Sequence, residues 1–165
     1  MDVFLLRHGE AEELGGKVKT DNERALTRDG VRLMEEEAEG MKRLGLRFNV
    51  ILSSPLVRAK QTAEIISEVL DSRKVTLCDA LAIPISTVDL MVAFKPFQPD
   101  YRVLLVGHMN DIGKLAGFFL GDPRLTLPFK KGSLCKILTS RLTPTPHGEL
   151  RWFLTARQLK LIGQS

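Results

Sequence analysis

Phe4-Leu5-Leu6-Arg7-His8-Gly9-Glu10 carries an apolar run, Val3 to Leu6, directly into a cation, an imidazole and a glycine. A short continuous apolar run reads as a strand buried on both faces of a parallel sheet. In open α/β sheets ligands bind just beyond the carboxyl ends of the strands. Arg7 and His8 therefore stand where such a fold does its chemistry. Gly9 has no Cβ, which lets the backbone turn sharply and approach a ligand. Taken alone, the three residues fit a surface turn after an edge strand equally well, because short motifs recur by chance.

Outward from this stretch, Glu10 to Arg24 is polar and reads as a loop. Thr27 is the expected N-cap of a helix that carries Val31, Met34, Ala38 and Met41 at spacings of three and four, stopped by Gly45. Val50 to Leu52 is the second strand. Ser53-Ser54-Pro55 reads as a strand end, an N-cap and a proline at the first helical position. The helix after it places Leu56, Ala59, Ala63, Ile66 and Leu70 on one face. Val75 to Leu77 is the third strand. Ser86 and Asp89 resemble a capping box before a short helix toward Phe94, ended by Pro96 and Pro99. Arg102 to Val106 is the fourth strand and runs into Gly107-His108. A helix from about Asn110 to Leu120 follows, closed by Gly121-Asp122-Pro123. Two strands, Leu134 to Thr139 and Leu150 to Leu154, flank a turn through Pro144, Pro146, His147 and Gly148. Alternating strands and helices with a hairpin at the end predict a three-layer α/β/α sandwich, its central sheet mostly parallel with an antiparallel edge strand.

The 165 residues are expected to form one domain, 1–165, long enough to bury a core without staples. No apolar run approaches the ~18–20 residues needed to span a bilayer. The first residues lack the pattern of a secretory signal. Cys78 and Cys135 are far apart and have no metal-ligand spacing; they read as reduced, mostly buried thiols, although spacing alone does not exclude a disulfide. The expectation is a cytoplasmic monomer with no membrane or nucleic-acid partner. The net charge of +4 is scattered and aromatics are few, so no basic stripe or stacking platform emerges. Such charge equally suits a phosphorylated substrate.

Three strand ends carry related chemistry. The first ends in Arg7 and His8, the second leads into a helix with Arg58 in its first turn, and the fourth ends in His108. If these strands are parallel neighbours, all four side chains converge on one edge of the sheet. Two guanidiniums offer planar forks matched to phosphate oxygens, and a histidine beside them can attack phosphorus or move protons. Each residue alone has a plainer reading: Arg58 as a solvated helix residue, His108 as a satisfied turn histidine, Arg7 as the partner of Glu10 or Asp2. His147 reads as structural or merely exposed.

Arg7-His8-Gly9 resembles the signature of the histidine phosphatase superfamily, the phosphoglycerate-mutase-like fold. Ser53-Ser54-Pro55-Leu56-Val57-Arg58-Ala59-Lys60-Gln61-Thr62-Ala63 is similar to that superfamily's second motif and Val106-Gly107-His108 to its third. The small size, the segment Glu23-Arg24-Ala25-Leu26-Thr27 with Gly30, and the ending Gln158-Leu159-Lys160 most resemble SixA-type phosphohistidine phosphatases. The resemblance implies His8 as a nucleophile that transiently carries a phosphoryl group. It implies Arg7, Arg58 and His108, with Gly9, as the phosphate pocket, and neither metal nor cofactor. One nitrogen of His8 must attack while the other needs an acceptor, expected to be a nearby backbone carbonyl.

Larger members carry an acidic proton donor after the third strand. Here Ala80 stands at that position, and Asp79, one residue away, would face the other side of a continuing strand. An alkoxide needs a proton to leave, whereas an imidazole needs less help. Three readings follow. One is a phosphohistidine phosphatase acting on a protein. The second is a phosphomonoesterase for a small metabolite with Asp79 as the acid. The third is a non-catalytic phosphate-binding module. The complete set of Arg7, His8, Arg58 and His108 speaks against the third, and the absence of a long insertion over the site weighs against the second.

Overall fold

The computed structural model describes residues 1–15, 18–142 and 145–164. Six strands form one sheet: β1 (Asp2–Arg7), β2 (Val50–Ser53), β3 (Val75–Leu77), β4 (Arg102–Gly107), β5 (Leu134–Arg141) and β6 (His147–Leu154). Their order is β3-β2-β4-β1-β5-β6. The pairs β2–β3, β2–β4 and β1–β4 are parallel, whereas β5 is antiparallel to both β1 and β6. The α-helices among the described residues are α1 (Arg28–Arg43), α2 (Val57–Val69), α3 (Thr87–Phe94), α4 (Asp111–Leu120) and α5 (Ala156–Gln164).

Successive side chains of a strand point to opposite faces, and the two central strands are apolar on both. Phe4 and Leu6 of β1 join Leu104 and Val106 of β4 in a core completed by Met34, Met41, Ala59, Ala63, Ile66 and Leu159 from α1, α2 and α5. Val3, Leu5, Val103 and Leu105 pack on the other side against Leu90, Phe94, Ile112 and Phe119 from α3 and α4. The sandwich is therefore three layers deep, as the continuous apolar runs predict.

Thr27 caps α1, accepting from the Gly30 amide at 2.9 Å, and Gly45 follows the helix at φ +67°, the left-handed conformation its lack of a Cβ permits. Ser86 caps α3 through the Asp89 amide. Two expectations need correction. Helix α2 starts at Val57 with Leu56 at the N-cap, so Ser54 and Pro55 precede it instead of capping and opening it. His147 and Gly148 belong to β6, where His147 pairs with Arg141, and not to the preceding turn. Pro144 lies outside the described residues. The terminal helix α5 carries no apolar stripe long enough to announce it, but Thr155 and Gln158 form a capping box, with Gln158 Oε1 accepting from the Thr155 amide at 2.8 Å.

Candidate active site

The register of β1 and β4 sets the site. Arg7 pairs with Gly107, and the His8 amide donates to the Gly107 carbonyl at 3.1 Å. His8 and His108 thus leave adjacent strand ends, their ring centroids 5.2 Å apart. The Ser54 amide donates to the Val106 carbonyl at 3.0 Å, which carries the chain past the end of β2 toward Arg58 in the first turn of α2. Arg58 Nε donates to His8 Nε2 at 3.1 Å. Arg7 Nη1 donates to the Phe129 carbonyl at 3.0 Å. The structure brings Arg7, His8, Arg58 and His108 together, all buried. Arg7 does not pair with Asp2, which binds Lys136, and Glu10 is bonded to Lys131.

The polar atoms are allotted unevenly. His8 Nδ1 lies 2.7 Å from the Gly9 carbonyl, an acceptor only, so Nδ1 carries the hydrogen and Nε2 presents its lone pair. His108 Nε2 lies 2.7 Å from Ser54 Oγ, which also accepts from the Leu56 amide at 3.3 Å. Two polar atoms of the cluster, Arg7 Nε and His108 Nδ1, are buried with no hydrogen-bond partner among the described residues. Buried polar groups are ordinarily paired, and these two lie beside a nucleophilic nitrogen and a second guanidinium. The arrangement suits a tetrahedral anion.

Gly9 holds His8 in a different way from the expected one. Its amide donates to Thr62 Oγ1 at 3.1 Å and is not open to a ligand. What requires glycine here is packing, since a Cβ would lie 2.6 Å from Met34 Cγ. Thr62 donates in turn to the Arg58 carbonyl at 2.8 Å, tying the loop after β1 to the first turn of α2.

Asp79 opens a short 3-10 turn, Asp79–Leu81, and is exposed; β3 has already ended at Leu77, so no strand continues through it. The carboxylate bonded to the cluster is that of Asp21, in another short turn, Asp21–Glu23. Asp21 Oδ2 accepts from Arg58 Nη2 at 2.9 Å, its carbonyl accepts from Arg58 Nη1 at 2.7 Å, and Arg24 Nη1 lies 3.0 Å from Oδ1. Sequence reasoning missed Asp21 because the loop has no periodicity. The Asp21 and Arg24 pair, three residues apart ahead of Leu26, was the one signal available.

Burial, above all, pushes the His8 ring down to about 3, and His108, Arg58 and Arg7 add to it against the Gly9 bond. Burial likewise lowers His108 to about 4, with Arg58 and Arg7 reinforcing it and Asp21 opposing. Both imidazoles are neutral at pH 7. Among the described residues no group of three or more His, Cys, Asp or Glu is placed to hold a metal ion. Both cysteines are free, and burial raises the Cys135 thiol to about 12.

The family model of the histidine phosphatase superfamily, branch 1, matches residues 3–82. An uncharacterized protein of Picosynechococcus sp. is 30% identical over 158 residues, covering 93% of this chain and 94% of that protein. The mitochondrial serine/threonine-protein phosphatase PGAM5 of Xenopus tropicalis is 34% identical over 101 residues, 61% of this chain and 32% of its own length, so the chain spans about a third of that relative. Among solved structures, protein histidine phosphatase SixA complexed with tungstate superposes with a TM-score of 0.82 at 21% identity, over 96% of this chain and 99% of that one. A mycobacterial glucosyl-3-phosphoglycerate phosphatase with inorganic phosphate gives a TM-score of 0.72 at 20% identity, over 94% and 98%. At such identities the structural likeness is one of fold. With strand-end motifs, family match and fold in agreement, the chain belongs to the histidine phosphatase superfamily and is a phosphatase of that superfamily.

Proposed function

We propose that this phosphatase hydrolyses phosphohistidine on a protein through a phosphoryl group carried by His8. The neutral His8 Nε2 attacks phosphorus in line with the departing imidazole nitrogen. The new P–N bond forms as the old one breaks, its electron pair leaving with the substrate ring. Before attack, the Arg58 Nε–H must move from His8 Nε2 to a phosphoryl oxygen. Arg7 Nε–H and His108 Nδ1–H are the unpartnered donors that would receive the other oxygens. His108 donates through Nδ1 when Ser54 donates its hydroxyl to Nε2, an assignment that satisfies both atoms. Water then attacks the phospho-His8, orthophosphate forms, and the electron pair returns to Nε2. Catalysis rests on positioning and on cationic stabilisation of the equatorial oxygens.

The observation that carries the substrate reading is the ionised state of the carboxylate bonded to the cluster. Burial opposes the charge of Asp21, but the Arg24 and Arg58 bonds outweigh it and hold its carboxyl below the ordinary value. Such a group is a poor proton donor, and Asp79 lies exposed on the short turn that follows β3, with no hydrogen bond to the cluster among the described residues. Among the described residues an alkoxide therefore finds no protonated acid bonded to the cluster, whereas an imidazole protonated on its other nitrogen leaves without one. The solved mycobacterial relative acts on a metabolite phosphate, which keeps that class as the alternative. The test is kcat/KM for a phosphohistidine peptide against sugar phosphates and p-nitrophenyl phosphate. The proposal expects the peptide to lead by at least about a hundredfold; monoesters equal or better would reject it.

A further inference from the structure

Arg58 holds two acceptors on one edge of its guanidinium. Nε–H points to the His8 nitrogen and Nη2–H to Asp21 Oδ2, so the carboxylate is the next acceptor along from the attacking atom. This edge ordinarily binds two oxygens of one phosphate. A pocket for a phosphate dianion alone gains nothing from a carboxylate there, because like charges repel. A ligand that carries positive charge beside its phosphoryl group gains a partner.

The carboxylate is also held in place. Arg24 Nε donates to the Glu12 carbonyl at 2.5 Å, and the Leu26 amide donates to Gln61 Oε1 at 2.7 Å, one turn along α2 from Arg58. The Thr20 amide donates to Glu23 Oε2 at 3.2 Å across the turn. Arg58 itself is 3% exposed, whereas the Asp21 side chain is 44% exposed, so the carboxylate marks the mouth of the site rather than its floor. A leaving group departs away from His8, toward the mouth.

We propose, resting on the substrate reading above, that Asp21 is the specificity-determining residue of the site: its carboxylate receives the N–H of the departing imidazole. A phosphohistidine protonated on its other nitrogen loses its phosphoryl group as a neutral imidazole, with no proton required at the nitrogen that departs. The electron pair of the broken P–N bond neutralises the ring, which keeps its N–H. A carboxylate that accepts from that N–H favours the protonated, more labile form near neutral pH. A phosphate monoester offers no such donor, and its dianion is disfavoured by the same charge, so one residue acts for one substrate class and against the other.

The test compares wild type with Asp21→Asn and Asp21→Glu, using a phosphohistidine peptide, p-nitrophenyl phosphate and inhibition by orthophosphate. Asp21→Asn should lower kcat/KM on the peptide about tenfold or more, while p-nitrophenyl phosphate turnover and orthophosphate inhibition stay level or improve. Asp21→Glu should recover part of the peptide activity. Parallel loss on both substrates would make Asp21 a support for Arg58 only and overturn the inference, as would parallel gain, which would make it a mere placeholder for phosphate. In both cases a peptide-selective wild type leaves the substrate reading standing. A wild type that does not turn over the peptide at all removes that reading, and the inference with it.

Discussion

His8 is the residue on which the proposed chemistry turns, and its surroundings fix both its tautomer and its charge. The Gly9 carbonyl takes the Nδ1 hydrogen, and burial keeps the ring neutral down to about pH 3. Ring resonances of His8 followed by NMR should show no inflection between pH 5 and 8 in the free protein; one near 6.5 would mean that the ring is solvated. His8→Ala should cut turnover at least about a thousandfold and leave the thermal transition within a few degrees, since a nucleophile serves the transition state more than the packing. Ser54→Ala should lower kcat about tenfold with little change in KM, because His108 loses the group that fixes its donor nitrogen. An unchanged kcat would show that His108 needs no such partner. Arg7, His8, Arg58 and His108 were legible as residues because each follows a readable strand end. Ser54 was misread as a helix cap, since its hydroxyl is taken up by a histidine far away in sequence. Asp21 is harder to read for a related reason: beyond its pairing with Arg24, its partner in the cluster, Arg58, is joined to it only by the fold.

At the scale of elements, strands β1 and β4 decide where the site can be. Their apolar runs were readable because burial on both faces removes any alternation. The boundaries harder to read are those set by tertiary contacts, such as the start of α2, or by backbone pairing, such as β6, whose first residues are exposed. Helix α5 is held by its packing on α1, at a point where Gly40 meets the backbone of Leu159. A Cβ on Gly40 would fall 2.0 Å from the Leu159 carbonyl oxygen, which no rotamer can relieve. Gly40→Ala should therefore destabilise the chain by about 1–3 kcal/mol in urea unfolding, with kcat/KM near wild type where the variant is folded. Equal stability would mean that α5 shifts freely on α1.

The whole molecule carries two opposed titrations. Glu37 on α1 is buried, and Gly132, at φ +72°, approaches it so closely that a Cβ would lie 2.3 Å from Oε2. Burial first, then the nearby Glu36, pushes its carboxyl up to about 8 from an ordinary 4.5. The folded chain keeps this proton up to about pH 8 and the unfolded chain only to about 4.5. The stability it contributes is present below 4.5 and is lost as pH rises through 8. His8 and His108 act in the other sense. Unfolded, they take protons below about 6.5; folded, not until about 3 and 4, so their contribution is lost as pH falls through that window. Glu37→Gln, which cannot ionise, should gain stability relative to wild type between pH 5 and pH 8. A difference that does not change with pH would mean that Glu37 is charged when buried. The same glycine donates its amide to the Arg7 carbonyl at 3.1 Å, so this carboxyl packs behind the strand end that presents His8.

The claim that the phosphoryl group passes through His8 is tested most directly by a single turnover of a radiolabelled phosphohistidine peptide, quenched on the millisecond scale. Label should move from the peptide to the chain, in at most equimolar amount, and be lost in acid but kept in base, as a phosphoramidate bond requires. It should then be released as orthophosphate, and His8→Ala should show neither step. Orthophosphate that appears with no labelled chain at any time, and at the same rate in His8→Ala, would contradict the account.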